Sequence, residues 1–294
     1  METPVSARDN IDLHATQHPL VFSENFTTLE TYCLYILHRK DYEEAAELVP
    51  SCRVLDLGCN NGYGSYELSR HGHEVIGVDV SAGALEDGRK RFHAANLEFR
   101  QVNGLELPFD SKHFDLVTSF QVIEHIADTA SYLAEIKRVL RPGGTALLTT
   151  PNAAIRLDPG MRPWNRFHVR EYRARELHQV LQGAFVRVDI RGLFAVEELY
   201  QIEYGRCQKA LALHRNPPPR ARRGLANRFA GVAKAMLPAT AVHALRRVRG
   251  GSLSGAGGRV FDAPLLKRFS TRDLRYASTD LDSALDLMAI CACG

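Results

Sequence analysis

From Arg53 onward the chain alternates short apolar runs with amphipathic stretches. CRVLDLG, EVIGVDV, LEFRQV, FDLVTSF and GTALLTT are rich in Val, Leu and Phe and bounded by turn-forming residues, as buried strands are. Between them, YGSYELSRHG, SAGALEDGRKRFHAAN and TASYLAEIKRVL place apolar residues at helical spacing. Strands and helices alternating through short connections predict crossover units on a mainly parallel α/β sheet with helices on both faces. Ligands on such sheets bind beyond the carboxyl ends of the strands. Upstream, from about Glu24 to Val49, Phe26, Leu29, Tyr32, Cys33, Ile36 and Leu37 form a helical stripe that Pro50 stops. Downstream, the helix EYRARELHQVLQGA and the strand FVRVDI continue the pattern, and the next clear strand is ALDLMAICA at 284–292. Asn216-Pro217-Pro218-Pro219 and GGSLSGAGG at 250–258 give the stretch between them the composition of loops flanking a helix. The expected division is a helical extension at 1–50, a core at 51–195, an insertion at 196–280 and a last core strand at 281–294.

With 294 residues, 45% of them hydrophobic, the chain can bury a full core as one enlarged domain. It has no apolar run of membrane-spanning length, and METPVSARDNIDLH lacks the apolar centre of a signal peptide, so a cytoplasmic protein is expected. The six cysteines show neither a disulfide framework nor paired C-x-x-C spacing and read as reduced and structural. The net charge of +3 conceals an asymmetry: residues 204–261 hold twelve Lys or Arg and no Asp or Glu, which leaves −9 on the remainder. Such a block points to an anionic partner or surface.

The stretch VLDLGCNNGYG, Val54 to Gly64, reads as a buried strand breaking into a glycine turn and then a helix that starts near Tyr63. Its glycines do not fall as G-x-G-x-x-G, because Asn60 stands where the dinucleotide fingerprint has its second Gly. Asn is nonetheless among the few residues that tolerate positive φ. Gly58 and Gly62 are expected to leave bare backbone for a ligand, with helix N–H groups facing it. EVIGVDV ends in Asp79, where a carboxylate can accept both hydroxyls of a ribose, so a nucleoside is expected. The plainer readings are a structural turn and an Asp79 that caps the next helix. A nicotinamide dehydrogenase is the rival enzyme class, disfavoured by the missing central glycine.

QVNGLELPFDSKHFDLVTSFQVIEHI, IKRVLRPGG and TALLTTPN resemble the class I S-adenosylmethionine-dependent methyltransferases, over Arg53 to about Phe194. That resemblance implies a doubly wound, seven-stranded, Rossmann-like sheet with S-adenosyl-L-methionine as cofactor. It implies Asp56, Gly58, Cys59 and Gly62 on the methionine side, with Phe120 also at the cofactor. Asp79 and Val80 would hold ribose and adenine, and Asn103, Gly104 and Leu105 would meet the adenine edge. Asn103 stands where the family often has Asp, so its amide oxygen would serve the adenine amine.

Methyl transfer is an in-line displacement that needs a placed nucleophile and a base. His125, just past the fourth strand, is the expected base; its bland alternative is a histidine bonded to backbone at a helix start. Gln121, Glu124 and His125 are similar to the E-x-x-E-H site of ubiquinone-type O-methyltransferases. That likeness implies Mg2+ at Glu124 and His125, with a weaker amide in place of the first acid. TTPNAAIRLDPGMRPWNRFHVREY and STDLDSALDLMAI resemble bacterial methyltransferases acting on sugars, polysaccharides and glycolipids, most of all actinobacterial enzymes of methylglucose lipopolysaccharides. This implies a hydroxyl acceptor on a sugar, glycan or glycolipid, with Trp164, His168 and Tyr63 at the substrate and His168 as a second catalytic group. The plainer reading has Trp164 only packing and His168 only capping the helix after it. No N-P-P-Y follows the fourth strand, which favours oxygen over nitrogen. A quinone or other small-molecule acceptor is the alternative, and nucleic acid is disfavoured because the basic block offers only Phe229 and Phe261 for stacking.

Within that block, Leu225, Phe229, Val232 and Met236 share one helical face with Arg222, Arg223, Arg228 and Lys234 around it. The pattern suits a lid over the acceptor pocket, a solvated surface, or an interfacial helix by which the basic block 204–261 rests on anionic lipid at the inner face of a membrane.

Overall fold

The computed structural model describes residues 28–104, 106–216 and 268–294. The stripe from Leu225 to Met236 and the glycine-rich run, on which the lid and lipid readings rest, lie outside the described residues, as does Leu105. Among the described residues no helix is long and apolar enough to cross a membrane.

Helix α1 (Leu29–Leu48) starts where the Thr31 N–H donates to Thr28 Oγ1 at 3.2 Å and stops before Pro50. Strand β1 (Arg53–Leu57), helix α2 (Tyr63–Arg70), strand β2 (Glu74–Asp79), helix α3 (Ala82–Arg91) and strand β3 (Leu97–Gln101) form the first half. Strand β4 (Phe114–Phe120), helix α4 (Thr129–Val139), strand β5 (Leu140–Pro151), the short helix α5 (Ala153–Arg156), helix α6 (Ala174–Gln182) and strand β6 (Arg187–Ala195) continue it. Helix α7 (Glu197–Arg215), strand β7 (Leu274–Ala277) and strand β8 (Asp286–Ala292) complete the described elements. Helix α3 ends five residues before the Asn96 to which its sequence pattern extends. Phe92 turns extended at φ −119° and stacks on Tyr66, with ring centroids 5.2 Å apart.

The strands form one sheet in the order β3-β2-β1-β4-β5-β8-β6-β7. β1 to β5 pair in parallel, β8 runs antiparallel between β5 and β6, and β7 adds antiparallel to β6. The sheet therefore has eight strands rather than the expected seven. The extra strand, β7, falls inside the stretch expected to be an insertion. It is four residues long and only Leu274 is buried, so it has no apolar run to read.

Successive residues of the central strands enter opposite cores, because a strand's side chains alternate and both faces of this sheet are covered. Leu55, Val117, Leu148 and Ala289 pack with Leu133 and Ile136 of α4 and Leu177 of α6. Their neighbours Val54, Leu116, Leu147 and Met288 pack with Tyr42 and Ala45 of α1 and Leu68 of α2. Helix α1 thus forms part of the main core, and its Cys33, Ile36 and Leu37 join Leu199 and Leu285 in a third cluster.

Candidate functional site

Strand order reverses between β1 and β4, where the chain switches from building one side of the sheet to the other. A crevice opens at such a point beyond the carboxyl ends of the strands. Here it is a cavity of about 280 Å³. Gly58 to Asn61 after β1, Asp79 to Ser81 after β2, Val102 and Gly104 after β3, and Phe120 to Val122 after β4 all line it. Val80, Leu107, Ile126 and Tyr132 make one flank apolar.

The turn after β1 uses left-handed backbone at Gly58 (φ 82°), Asn60 (φ 51°) and Gly62 (φ 78°). Its glycines serve packing more than the expected bare approach of a ligand. A Cβ on Gly58 would lie 2.5 Å from Val122 Cγ2, and one on Gly62 would lie 2.1 Å from Phe99 Cε1. Asp79 stitches the turn from outside: Oδ2 accepts the Asn60 N–H and Oδ1 accepts the Ser81 N–H, each at 2.8 Å. Asp79 also lines the cavity. The cap of α3 is Ser81, whose Oγ accepts the Ala84 N–H, so Asp79 does not act as that cap.

Asp56 is a correction. Expected on the methionine side, it is 1% exposed and absent from the cavity wall. Ser65 donates to it at 2.6 Å, Thr118 at 2.9 Å and Tyr42 at 3.3 Å, which ties α1, α2 and β4 together beneath the turn. Burial pushes its carboxyl up to about 6 against those hydrogen bonds. Asn103 is exposed and also outside the cavity wall, although Val102 and Gly104 on either side belong to it. Cys59, Val80, Phe120, Tyr63 and His125 line the cavity, while Gly62 packs against Phe99.

At the reacting end, Ile123–His125 form a single 3-10 turn. His125 Nδ1 lies 3.0 Å from the Phe167 carbonyl oxygen. A carbonyl only accepts, so Nδ1 carries the proton and Nε2 is the basic nitrogen of the neutral ring. The loop that holds Phe167 also braces the turn through the Val169 and Arg170 N–H groups, which donate to the Glu124 carbonyl at 2.8 and 3.2 Å. Glu124 itself is buried; Thr150 donates to it at 3.0 Å, and burial pushes its carboxyl up to about 8.

Trp164 and His168 do not line the cavity. His168 places Nδ1 2.6 Å from Glu171 and Nε2 2.8 Å from the Asn165 amide, so both ring nitrogens are engaged. Arg156 forks onto the same Glu171 at 2.8 and 3.0 Å and lies over the Trp164 ring at 4.3 Å. The segment N-x-F-H-x-R-E is therefore a knot that holds the loop behind His125, because its polar groups satisfy one another. Glu124, His125 and His168 bring ligand atoms within 4.8 Å of each other. Magnesium prefers oxygen ligands in octahedral geometry. With two imidazoles in the set, one fully engaged, and with Gln121 turned toward Asp286, these residues do not fit a magnesium ion.

His38 and Tyr42 of α1 join the cavity without any motif to mark them. Their signal is a histidine and a tyrosine four apart on a helix, one step beyond the stripe that ends at Leu37.

Residues 55–148 match the family model of a methyltransferase domain. A probable S-adenosylmethionine-dependent methyltransferase of Mycolicibacterium smegmatis is 38% identical over 159 residues, 53% of this chain and 61% of that protein. One from Mycobacterium tuberculosis is 39% identical over 159 residues, 53% of this chain and 57% of its own length. A ubiquinone biosynthesis O-methyltransferase of Alkalilimnicola ehrlichii is 37% identical over 105 residues, 34% of this chain and 42% of that protein. The matches therefore span less than two thirds of these curated relatives. Among solved structures, the [4+2]-cyclase SpnF aligns over 87% of this chain and 81% of its own, with a TM-score of 0.50 and 19% identity, a likeness of fold alone.

Proposed function

We propose that this chain, which carries a methyltransferase domain match at residues 55–148, transfers the methyl group of S-adenosylmethionine to a hydroxyl oxygen. The observation that carries the reading is that one cavity at the switch point of the sheet holds both Asp79 and His125. The donor set fits the cofactor: a carboxylate at the end of β2 for ribose, an apolar flank of Val80, Val102 and Leu107 for a base, and the glycine turn for the amino-acid end. When bound, S-adenosylmethionine supplies a methyl on a positively charged sulfur that leaves as a neutral thioether. His125 Nε2 takes the proton of the acceptor hydroxyl as its oxygen is methylated, and the Phe167 carbonyl keeps the ring in the tautomer that can do so. Tyr42 packs in T-shaped contacts against Tyr63 and Phe120, and the three rings limit the space beside the reacting groups.

For the acceptor we favour a sugar, glycan or glycolipid, on the resemblance of the segments after β5 and around β8. With Trp164 and His168 committed to the knot, that reading rests on sequence likeness and on the polar groups His38, Gln121 and His125. A small aromatic hydroxyl is the second reading, supported by the aromatic wall and by the name of the ubiquinone-type relative. Contact with an anionic membrane through 204–261 remains a proposal carried by charge alone.

Asp79→Ala removes the ribose acceptor and leaves two N–H groups of the turn without partners. Calorimetry is expected to show S-adenosylmethionine affinity weakened by about 2 kcal/mol or more. Unchanged affinity would overturn the cofactor assignment. Incubation with methyl-labelled cofactor and paired sugar and phenol acceptors, read by mass spectrometry, separates the two acceptor readings.

A further inference from the structure

We propose that Asp286, acting through Gln121, makes this cavity prefer the positively charged methyl donor over its neutral demethylated product. The inference rests on the cofactor reading above. Gln121 follows β4 in a left-handed conformation, φ 57°, which a non-glycine residue adopts only when its surroundings hold it there. Two anchors do so. Its N–H donates to the Thr149 carbonyl at 2.9 Å, and its side-chain amide nitrogen lies 3.3 Å from Asp286 Oδ2 and 3.4 Å from Thr149 Oγ1.

A carboxylate only accepts, so the amide nitrogen is the end that must face Asp286. The oxygen of Gln121 is then the other end of an amide whose side chain lines the cavity. That oxygen accepts no hydrogen bond among the described residues and is not sealed in the interior. A carboxylate behind the amide nitrogen polarises the group and makes its oxygen more negative.

Asp286 also differs from the buried acids Glu171 and Glu203 nearby. Arg156 is paired with Glu171, and Arg206 with Glu203. Asp286 has no cation within ion-pairing distance among the described residues, and Gln121 is its one hydrogen-bond donor there. β8 begins at Asp286 opposite Pro151, which puts the carboxyl at the edge of the sheet that holds the cavity. Burial raises this carboxyl to about 7, and a bound cation shifts it toward the ionised form. Arg156 and Arg206 act on this carboxyl from beyond ion-pairing distance and are offset by Glu203 and Glu171. This end of the cavity therefore presents oxygen acceptors whose negative charge no direct ion pair neutralises, complementary to a positively charged sulfur and indifferent to a neutral thioether.

The test is titration calorimetry at pH 8 with S-adenosylmethionine and S-adenosylhomocysteine on the full chain and on Asp286→Asn. The substitution keeps the shape and removes the charge. The expected result is a Kd for S-adenosylmethionine raised about tenfold, with that for S-adenosylhomocysteine changed less than about twofold. A merely structural Asp286 would weaken both ligands alike, and an unchanged ratio of the two constants overturns the proposal. If Asp286→Asn does not fold, Gln121→Met removes the cavity-facing oxygen and must shift the same ratio in the same direction. Binding of neither ligand by the unaltered chain would sink the cofactor reading itself, whereas binding of both with a fixed ratio sinks only this inference.

Discussion

His125 is held on three sides: its Nδ1 by the Phe167 carbonyl, its turn by two N–H groups from the next loop, and its ring edge by His168 with centroids 4.8 Å apart. Such bracing suits a base whose geometry must not drift. His125→Ala is expected to lower turnover on the order of 100-fold while leaving the S-adenosylmethionine Kd within about twofold. Equal turnover in the two proteins would make the histidine structural. Asp79 and His125 stood out in the sequence because one ends an apolar strand and the other lies in the turn just past one, and both line the cavity. Asp56, Trp164 and His168 lie outside its wall, and a polar residue beside a motif reads the same whether it faces a ligand or satisfies a neighbour. Asp56 shows the difference: three hydroxyls from α1, α2 and β4 converge on it, and no local pattern announces that convergence.

Among the elements, the central strands β1, β4 and β5 were legible because both of their faces are largely buried, which yields runs dominated by apolar residues. β7 was not, because an edge strand of four residues buries one side chain and takes its stability from pairing with β6. Its Tyr276 nevertheless reaches across to α1 and donates to Asp41, a fully buried carboxyl that also accepts from Thr149 of β5 at 3.0 Å. This joins three elements distant in sequence, and it sits beside the helix that supplies His38 and Tyr42 to the cavity. Tyr276→Phe leaves the carboxyl short of a donor and is expected to cost about 1–3 kcal/mol in urea unfolding. A loss below about 0.5 kcal/mol would mean that the hydroxyl holds nothing that water cannot replace.

For the molecule as a whole, buried acids set the response to pH. Burial is the leading cause in each case, raising Asp56 to about 6, Asp286 to about 7 and Glu124 to about 8. A carboxyl whose folded pKa lies above its unfolded value holds its proton longer in the native state. It costs no stability below the unfolded pKa, a growing amount between the two values, and the full amount above the folded one. Exposed carboxyls such as Glu86, Glu98 and Asp158 are held low by neighbouring cations and act in the opposite sense, but only in the acid range where they titrate. Stability is therefore expected to peak on the acid side of neutrality and to fall from about pH 5 to 8. Glu124 spans the widest part of that window. Glu124→Gln keeps an oxygen for the Thr150 hydroxyl and removes the titration, so its advantage over the unaltered chain should grow by about 3 kcal/mol between pH 5.5 and pH 8. Urea unfolding at the two pH values measures this, and an advantage that stays constant or shrinks as pH rises would show that Glu124 is already ionised in the folded protein at pH 5.5.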